Sequence, residues 1–219
     1  MASRDRASRR RRRPIQRRAQ QTIDAILDGA VQVLKSGRGQ TIATGRGQTI
    51  ATGRGQSITT NHIARAAGVS IGSLYQYFAD KRAIFAALHD RHVEQASRRI
   101  DAALVTNAGA PLEVVLRALM HALIEAHAAD PELYLVLDAE LPHGGRGGHP
   151  LHERLRSALR PALAAGTAQV GRELETTAFV VTHLLDALVH GAILNRPPRV
   201  SLRRAQDQFL QAILRYLRL

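Results

Sequence analysis

The chain has 219 residues, 45% of them hydrophobic but only 4% aromatic, with no cysteine, no tryptophan and a net charge of +13. The missing thiols exclude disulfide scaffolds, thiolate zinc sites and cysteine nucleophiles, and they fit a reducing cytoplasm. No apolar run reaches the roughly 18 residues of a membrane helix, because His183, Asp186 and His190 interrupt the best stretch, and the basic N-terminus lacks the apolar segment of a signal peptide. Apolar content carried by Ala and Leu rather than by β-branched and aromatic residues predicts an all-α fold.

The charge is concentrated. Residues 1–82 hold 16 Lys and Arg against four acids, whereas the remaining 137 residues hold 15 against 14. One end of the chain is therefore suited to a phosphate backbone and the other is nearly neutral, as expected of a DNA-binding module joined to a separate domain.

In chain order, residues 1–19 contain the run Arg9 to Arg13 and almost nothing apolar, which reads as a disordered basic arm. Ile23, Ile26, Leu27, Ala30, Val31 and Leu34 then recur at helical spacing, predicting a helix from Gln20 to Lys35. A tandem repeat follows: GRGQTIAT at 37–44 and again at 45–52, then GRGQSITT at 53–60. Two glycines per unit predict a loop, and the added length costs only about 1 kcal/mol of closure entropy. Whether Arg38, Arg46 and Arg54 touch DNA or belong to a neutral duplication is open at this point.

Thr59 is suited to cap a short helix over Thr60–Ala67 that Gly68 ends, and Ser70 to cap a second one from Ile71 to Phe78 with Leu74 and Phe78 inward. Two short helices around a glycine turn make a helix-turn-helix. A long helix is expected from Asp80 to about Thr106, one from Pro111, and one from Asp130 to about Leu141. A loop should span Pro142–Pro150, followed by a helix over Leu151–Gln169 kinked or broken at Pro161. The last two helices, 173–194 and 201–217, are apolar on more than one face and require cover on two sides.

The stretch Thr59-Thr60-Asn61-His62-Ile63-Ala64-Arg65-Ala66-Ala67-Gly68-Val69-Ser70-Ile71-Gly72-Ser73-Leu74-Tyr75-Gln76-Tyr77-Phe78-Ala79-Asp80-Lys81 resembles the DNA-binding signature of TetR-family transcriptional regulators, with residues 37–52 as an insertion. The resemblance implies an N-terminal three-helix helix-turn-helix domain (20–82, with the repeat loop at 37–60) and a larger helical domain (83–219) for effector binding and dimerisation. It further implies that Ile71, Gly72, Ser73, Tyr75, Gln76 and Tyr77 face the major groove. Small Gly72 and Ser73 admit close backbone approach, and Gln76 suits an adenine edge. Thr59, Thr60, Asn61, Ser70 and Lys81 complete the expected interface through phosphate contacts and capping.

From helical facing and the family layout, Leu119, Leu123, His127, Tyr134, Leu137, Phe179, His183 and His190 are expected to line an effector pocket for a hydrophobic or aromatic small molecule. Leu184, Leu188, Phe209, Ile213 and Leu217 are expected to form the homodimer interface. The function implied is a repressor released from a palindromic double-stranded operator by its ligand. The other reading is a nonspecific architectural nucleic-acid binder driven by the Arg-rich arm and the GRG repeats. No catalytic set, cofactor or metal is expected. Gly68-Val69-Ser70-Ile71-Gly72 fits the G-x-S-x-G elbow only formally, since that motif needs a preceding strand, and His143, His149 and His152 read as solvated loop residues.

Overall fold

The computed structural model describes residues 3–36, 40–43, 49–52, 58–128, 131, 133, 150–166, 173–194 and 196–218. Its described elements are α1 (Ser3–Ser36), β1 (Gln40–Ala43), β2 (Thr49–Thr52), α2 (Thr60–Ala66), α3 (Ile71–Tyr77), α4 (Lys81–Thr106), α5 (Leu112–Ala128), α6 (Pro150–Gly166), α7 (Leu174–Leu194) and α8 (Leu202–Leu217). They form two compact units, one on Met1–His89 and one on Asp90–Leu135 with Pro142–Leu219. The division falls within α4, after His89.

In the first unit, α1 packs on α2 and α2 on α3. Ile26, Leu27, Ala30, Val33 and Leu34 of α1 are buried, as are Ile58, Ile63, Leu74, Phe78, Ile84 and Phe85. Local chemistry sets the short helices. The Thr59 hydroxyl accepts from the His62 amide at 3.3 Å and the Ser70 hydroxyl from the Ser73 amide at 3.0 Å. Gly68 takes φ +66, the left-handed conformation that ends a helix at low steric cost. The Asp80 carboxylate accepts from the Ala83 amide at 2.7 Å and caps α4.

Two elements differ from the sequence reading. Helix α1 begins at Ser3, so the segment expected to be a disordered arm is helical. Apolar spacing detects only the docked part of a helix, whereas Arg, Ala and Gln carry enough propensity to extend one beyond its docking surface. Within the repeat, β1 and β2 pair antiparallel, with Ile42 opposite Ile50. The first two units thus supply one strand each to a hairpin, whereas Ile58 of the third is buried and Thr59 caps α2.

In the second unit, α6 pairs most extensively with α7, and α5 packs on α6, α7 and α8. Their shared core includes Leu116, Leu119, Leu155, Leu159, Val181, Leu185 and Ile213. Helix α6 continues through Pro161 rather than breaking there. Helix α7 is long and apolar enough to cross a membrane by composition alone, and Ala178, Val181, Leu185, Val189 and Ala192 are buried core residues. The helix expected over 130–141, apart from residues 131 and 133, and most of the expected 142–150 loop lie outside the described residues.

Candidate functional site

The helix-turn-helix of the first unit presents one continuous polar and aromatic face. Leu74 points inward and is fully buried, which fixes the rotation of α3. Ile71, Gly72, Tyr75, Gln76 and Tyr77 are consequently exposed, with Tyr75 at 52% and Tyr77 at 38%. A seven-residue helix with this much exposed aromatic surface has side chains available to reach another molecule.

The other expected contacts fall around it. Asn61 is exposed on α2, and Thr60 and Thr59 are half-buried. The Thr60 and Tyr75 hydroxyls lie 3.1 Å apart, tying the start of α2 to the exposed side of α3. Ser70 and Ser73 hydroxyls are 2.8 Å apart, so Ser70 serves as a cap and orients Ser73. Ser70 follows helix α2 instead of a strand, so its surroundings are not those of a nucleophile elbow. The Lys81 ammonium sits 5.5 Å from the centroid of the Phe85 ring, at the start of α4.

The expected effector residues do not come together as one lining. Leu119 and Leu123 are core residues and His127 is 4% exposed, whereas Phe179 is 50% exposed and meets exposed His183 at a tilt, with centroids 4.4 Å apart. Helical facing placed Phe179 and His183 with the pocket because α7 is apolar on several sides, and spacing alone does not identify the inward one. Tyr134 and Leu137 lie outside the described residues, as do His143 and His149.

A polar cluster gathers around His127 and His190, and it adds His92, His152 and Asp186 to the histidines expected from the sequence. His92 of α4 meets His127 of α5 edge to face at 4.9 Å, and His127 lies 6.0 Å from His190 of α7. Asp186 places one carboxylate oxygen 3.2 Å from His152 Nε2 of α6 and the other 3.3 Å from His190 Nδ1. His152 in turn meets His183 at 4.9 Å. His127 Nδ1 is 2.7 Å from the Leu123 carbonyl, and His190 Nδ1 is 2.7 Å from the Asp186 carbonyl. A carbonyl can only accept, so each Nδ1 carries the hydrogen. Burial lowers the pKa of His127 below its ordinary 6.5, and the charge of nearby His190 adds to that, while the Leu123 hydrogen bond opposes it. Four helices supply this cluster, so no local motif announces it. Among the described residues, no group of three or more His, Asp or Glu side chains is arranged to hold a metal ion.

The dimer expectation divides similarly. Leu184, Leu188 and Phe209 are partly exposed, but Ile213 is fully buried and Leu217 is 6% exposed. Ile213 and Leu217 pack in the core of the second unit, which leaves them little or no exposed side-chain surface. Phe179 of α7 and Tyr216 of α8, at 50% and 44%, are the large exposed residues of these two helices.

Residues 54–88 match the family described as bacterial regulatory proteins, tetR family, and residues 111–217 match the tetracyclin repressor-like C-terminal domain. No curated protein sequence matches. Among solved structures, a TetR-family transcriptional regulator from Streptomyces coelicolor is 19% identical, with 90% of this chain and 99% of that one covered at a TM-score of 0.58. A TetR-like transcriptional regulator from Rhodococcus sp. RHA1 is 17% identical, with 91% and 94% covered and a TM-score of 0.58. The regulator FadR from Bacillus subtilis, solved with stearoyl-CoA, is 19% identical, with 86% and 96% covered and a TM-score of 0.57.

Proposed function

We propose, from the premise that this chain belongs to the TetR family of bacterial regulatory proteins, that it is a cytoplasmic transcriptional repressor released from a palindromic operator by a small molecule. The observation that carries this reading is the rotation of α3, which buries Leu74 and exposes Ile71, Tyr75, Gln76 and Tyr77. Inserted in the major groove, this face reads base edges through Gln76 while Tyr75, Tyr77, Thr59, Thr60 and Lys81 take phosphates. Two copies related by a two-fold axis would address half-sites about 34 Å apart or a multiple of it.

The dimer is assigned to the exposed sides of α7 and α8, with Phe179, Leu184, Leu188, Phe209 and Tyr216 at its centre. The effector is assigned to the interior of the second unit beside Leu119, Leu123, His127 and His190. A ligand there has apolar walls and the histidines for orientation, which suits a hydrophobic or aromatic molecule with one polar group. Stearoyl-CoA, found with the Bacillus subtilis relative, belongs in the first screen. A differential affinity of about 1–3 kcal/mol between the DNA-bound and released forms is sufficient for a switch.

The experiment is a binding titration of the full chain against the DNA upstream of its gene, searched for an inverted repeat, and against random DNA, at several salt concentrations. The repressor reading expects a preference of about a thousandfold or more for the repeat. A preference below about tenfold with a steep salt slope on both DNAs would favour the architectural binder instead.

A further inference from the structure

The hairpin of the first unit pairs a sequence with a copy of itself. Residues 37–44 and 45–52 are identical, and β1 and β2 come one from each. Ile42, the sixth residue of its repeat unit, stands opposite Ile50, the sixth of the next. The register is symmetric about that centre. Thr41 faces Ala51 and Ala43 faces Thr49, in both cases the fifth residue of one unit opposite the seventh of the other. Segment 41–43 is thus complementary to its own antiparallel copy.

A two-stranded sheet has two outer edges. Each carries alternate backbone N–H and C=O groups of its strand, and among the described residues no third strand joins either edge. Natural sheets guard such edges with charged residues or proline. The strands QTIA and TIAT contain neither. A lone hairpin is also marginally stable in water, so an added strand stabilises it. The chain does carry one more copy of the unit, at 53–60, but Ile58 is buried in the helical core and Thr59 caps α2. A further copy has to come from another molecule.

We propose that the hairpin is a self-association site, at which an outer edge in one chain adds antiparallel to an outer edge in a second copy. Residues 37–52 lie outside both family-matched stretches and belong to the first unit, whereas the dimer was assigned to the second. The site therefore joins molecules through a separate contact; that the joined species are dimers rests on that assignment. Arg38 and Arg46 stand just before the two strands in sequence, so like charges oppose the association and salt relieves the repulsion. A DNA contact through the same arginines would instead weaken with salt.

The test is sedimentation velocity of the full chain without DNA, over a range of concentrations at about 0.1 and 1 M salt. The intact chain is expected to form species of about twice the mass, or more, of those formed by a variant lacking residues 37–52. Their share should rise with salt. Thr41→Pro with Thr49→Pro, which removes one backbone donor from each strand, should behave as the deletion does. Amide hydrogen exchange over 40–43 and 49–52 should slow as the intact chain is concentrated, because pairing protects the outer edges. None of these readouts uses DNA, so a failed operator preference in the titration above leaves them standing. Equal masses for the intact and deleted chains, larger species that dissolve as salt rises, or strand amides that exchange alike at every concentration would overturn the proposal.

Discussion

Gly29 of α1 lies directly against the backbone of Ala67, at the turn between α2 and α3: a Cβ added at Gly29 would stand 2.7 Å from the Ala67 amide nitrogen and 2.9 Å from its Cα. That approach is how α1 seats the helix-turn-helix. In an ordinary helix interior Gly→Ala would stabilise by about 1 kcal/mol. Here the neighbour is backbone and cannot turn aside, so Gly29→Ala is expected to destabilise the first unit by roughly 1–3 kcal/mol, and Gly29→Val by more. Urea unfolding followed together with DNA binding checks it, and a stabilised Gly29→Ala protein would contradict the close packing.

The Tyr77 and Lys81 side chains stand on successive elements, one exposed on α3 and one at the start of α4. Replacing both with Ala should weaken operator binding while leaving the dimer intact. Removing the Lys81 charge should also lower the slope of log affinity against log salt by about 0.9, the loss of one phosphate contact. Retained operator affinity in the double variant would count against α3 as the docked helix.

Much of the first unit is legible in the sequence because its determinants are local. Thr59 and Ser70 cap where a polar side chain precedes an apolar period, and Gly68 marks the left-handed residue of the turn. Gly29 is not legible, because its role is set by a residue on another element. The second unit is legible as helices but not as faces. An apolar stripe requires cover without naming the cover, so Ile213 and Leu217 read as interface yet sit in the core, and Phe179 reads as pocket yet lies outside. The histidine cluster draws single residues from α4, α5, α6 and α7, a gathering that periodicity does not encode.

The three repeat units are alike in sequence and unlike in structure. The third provides buried Ile58 and the Thr59 cap, whereas the described strands of the first two pair with each other. Excising residues 37–52 is therefore expected to leave a folded protein that binds operator, with stability changed by about 1 kcal/mol or less through the shorter connection. Thermal unfolding and a gel-shift titration of the deletion check this, and an unfolded product would make the hairpin structural.

His127 gives the stability a pH dependence of defined sign. Its pKa is lowered in the folded chain, chiefly by burial. The unfolded chain therefore takes up a proton near pH 6.5 that the folded chain refuses until lower pH. The contribution of neutral His127 is complete above the unfolded value and declines as pH falls through it toward the folded value. One such group sets a slope of at most about 1.4 kcal/mol per pH unit. His127→Gln should flatten the stability curve between pH 7 and the acid side, and an unchanged curve would refute the assignment.

Exposure separates residues available to a second subunit from those that hold the first together. Phe179 and Tyr216 are half-exposed on α7 and α8, whereas Ile213, three residues before Tyr216, is fully buried. Phe179→Asp with Tyr216→Asp should give a folded monomer by light scattering, since a carboxylate inserted between apolar faces cannot be solvated. Ile213→Ala should instead lower the unfolding free energy by about 2–5 kcal/mol through the cavity it leaves. Operator affinity should fall steeply in the Asp double variant even though α3 is untouched, because a single half-site forfeits the linkage between two. A dimer that survives both Asp substitutions would move the interface to another face of the second unit.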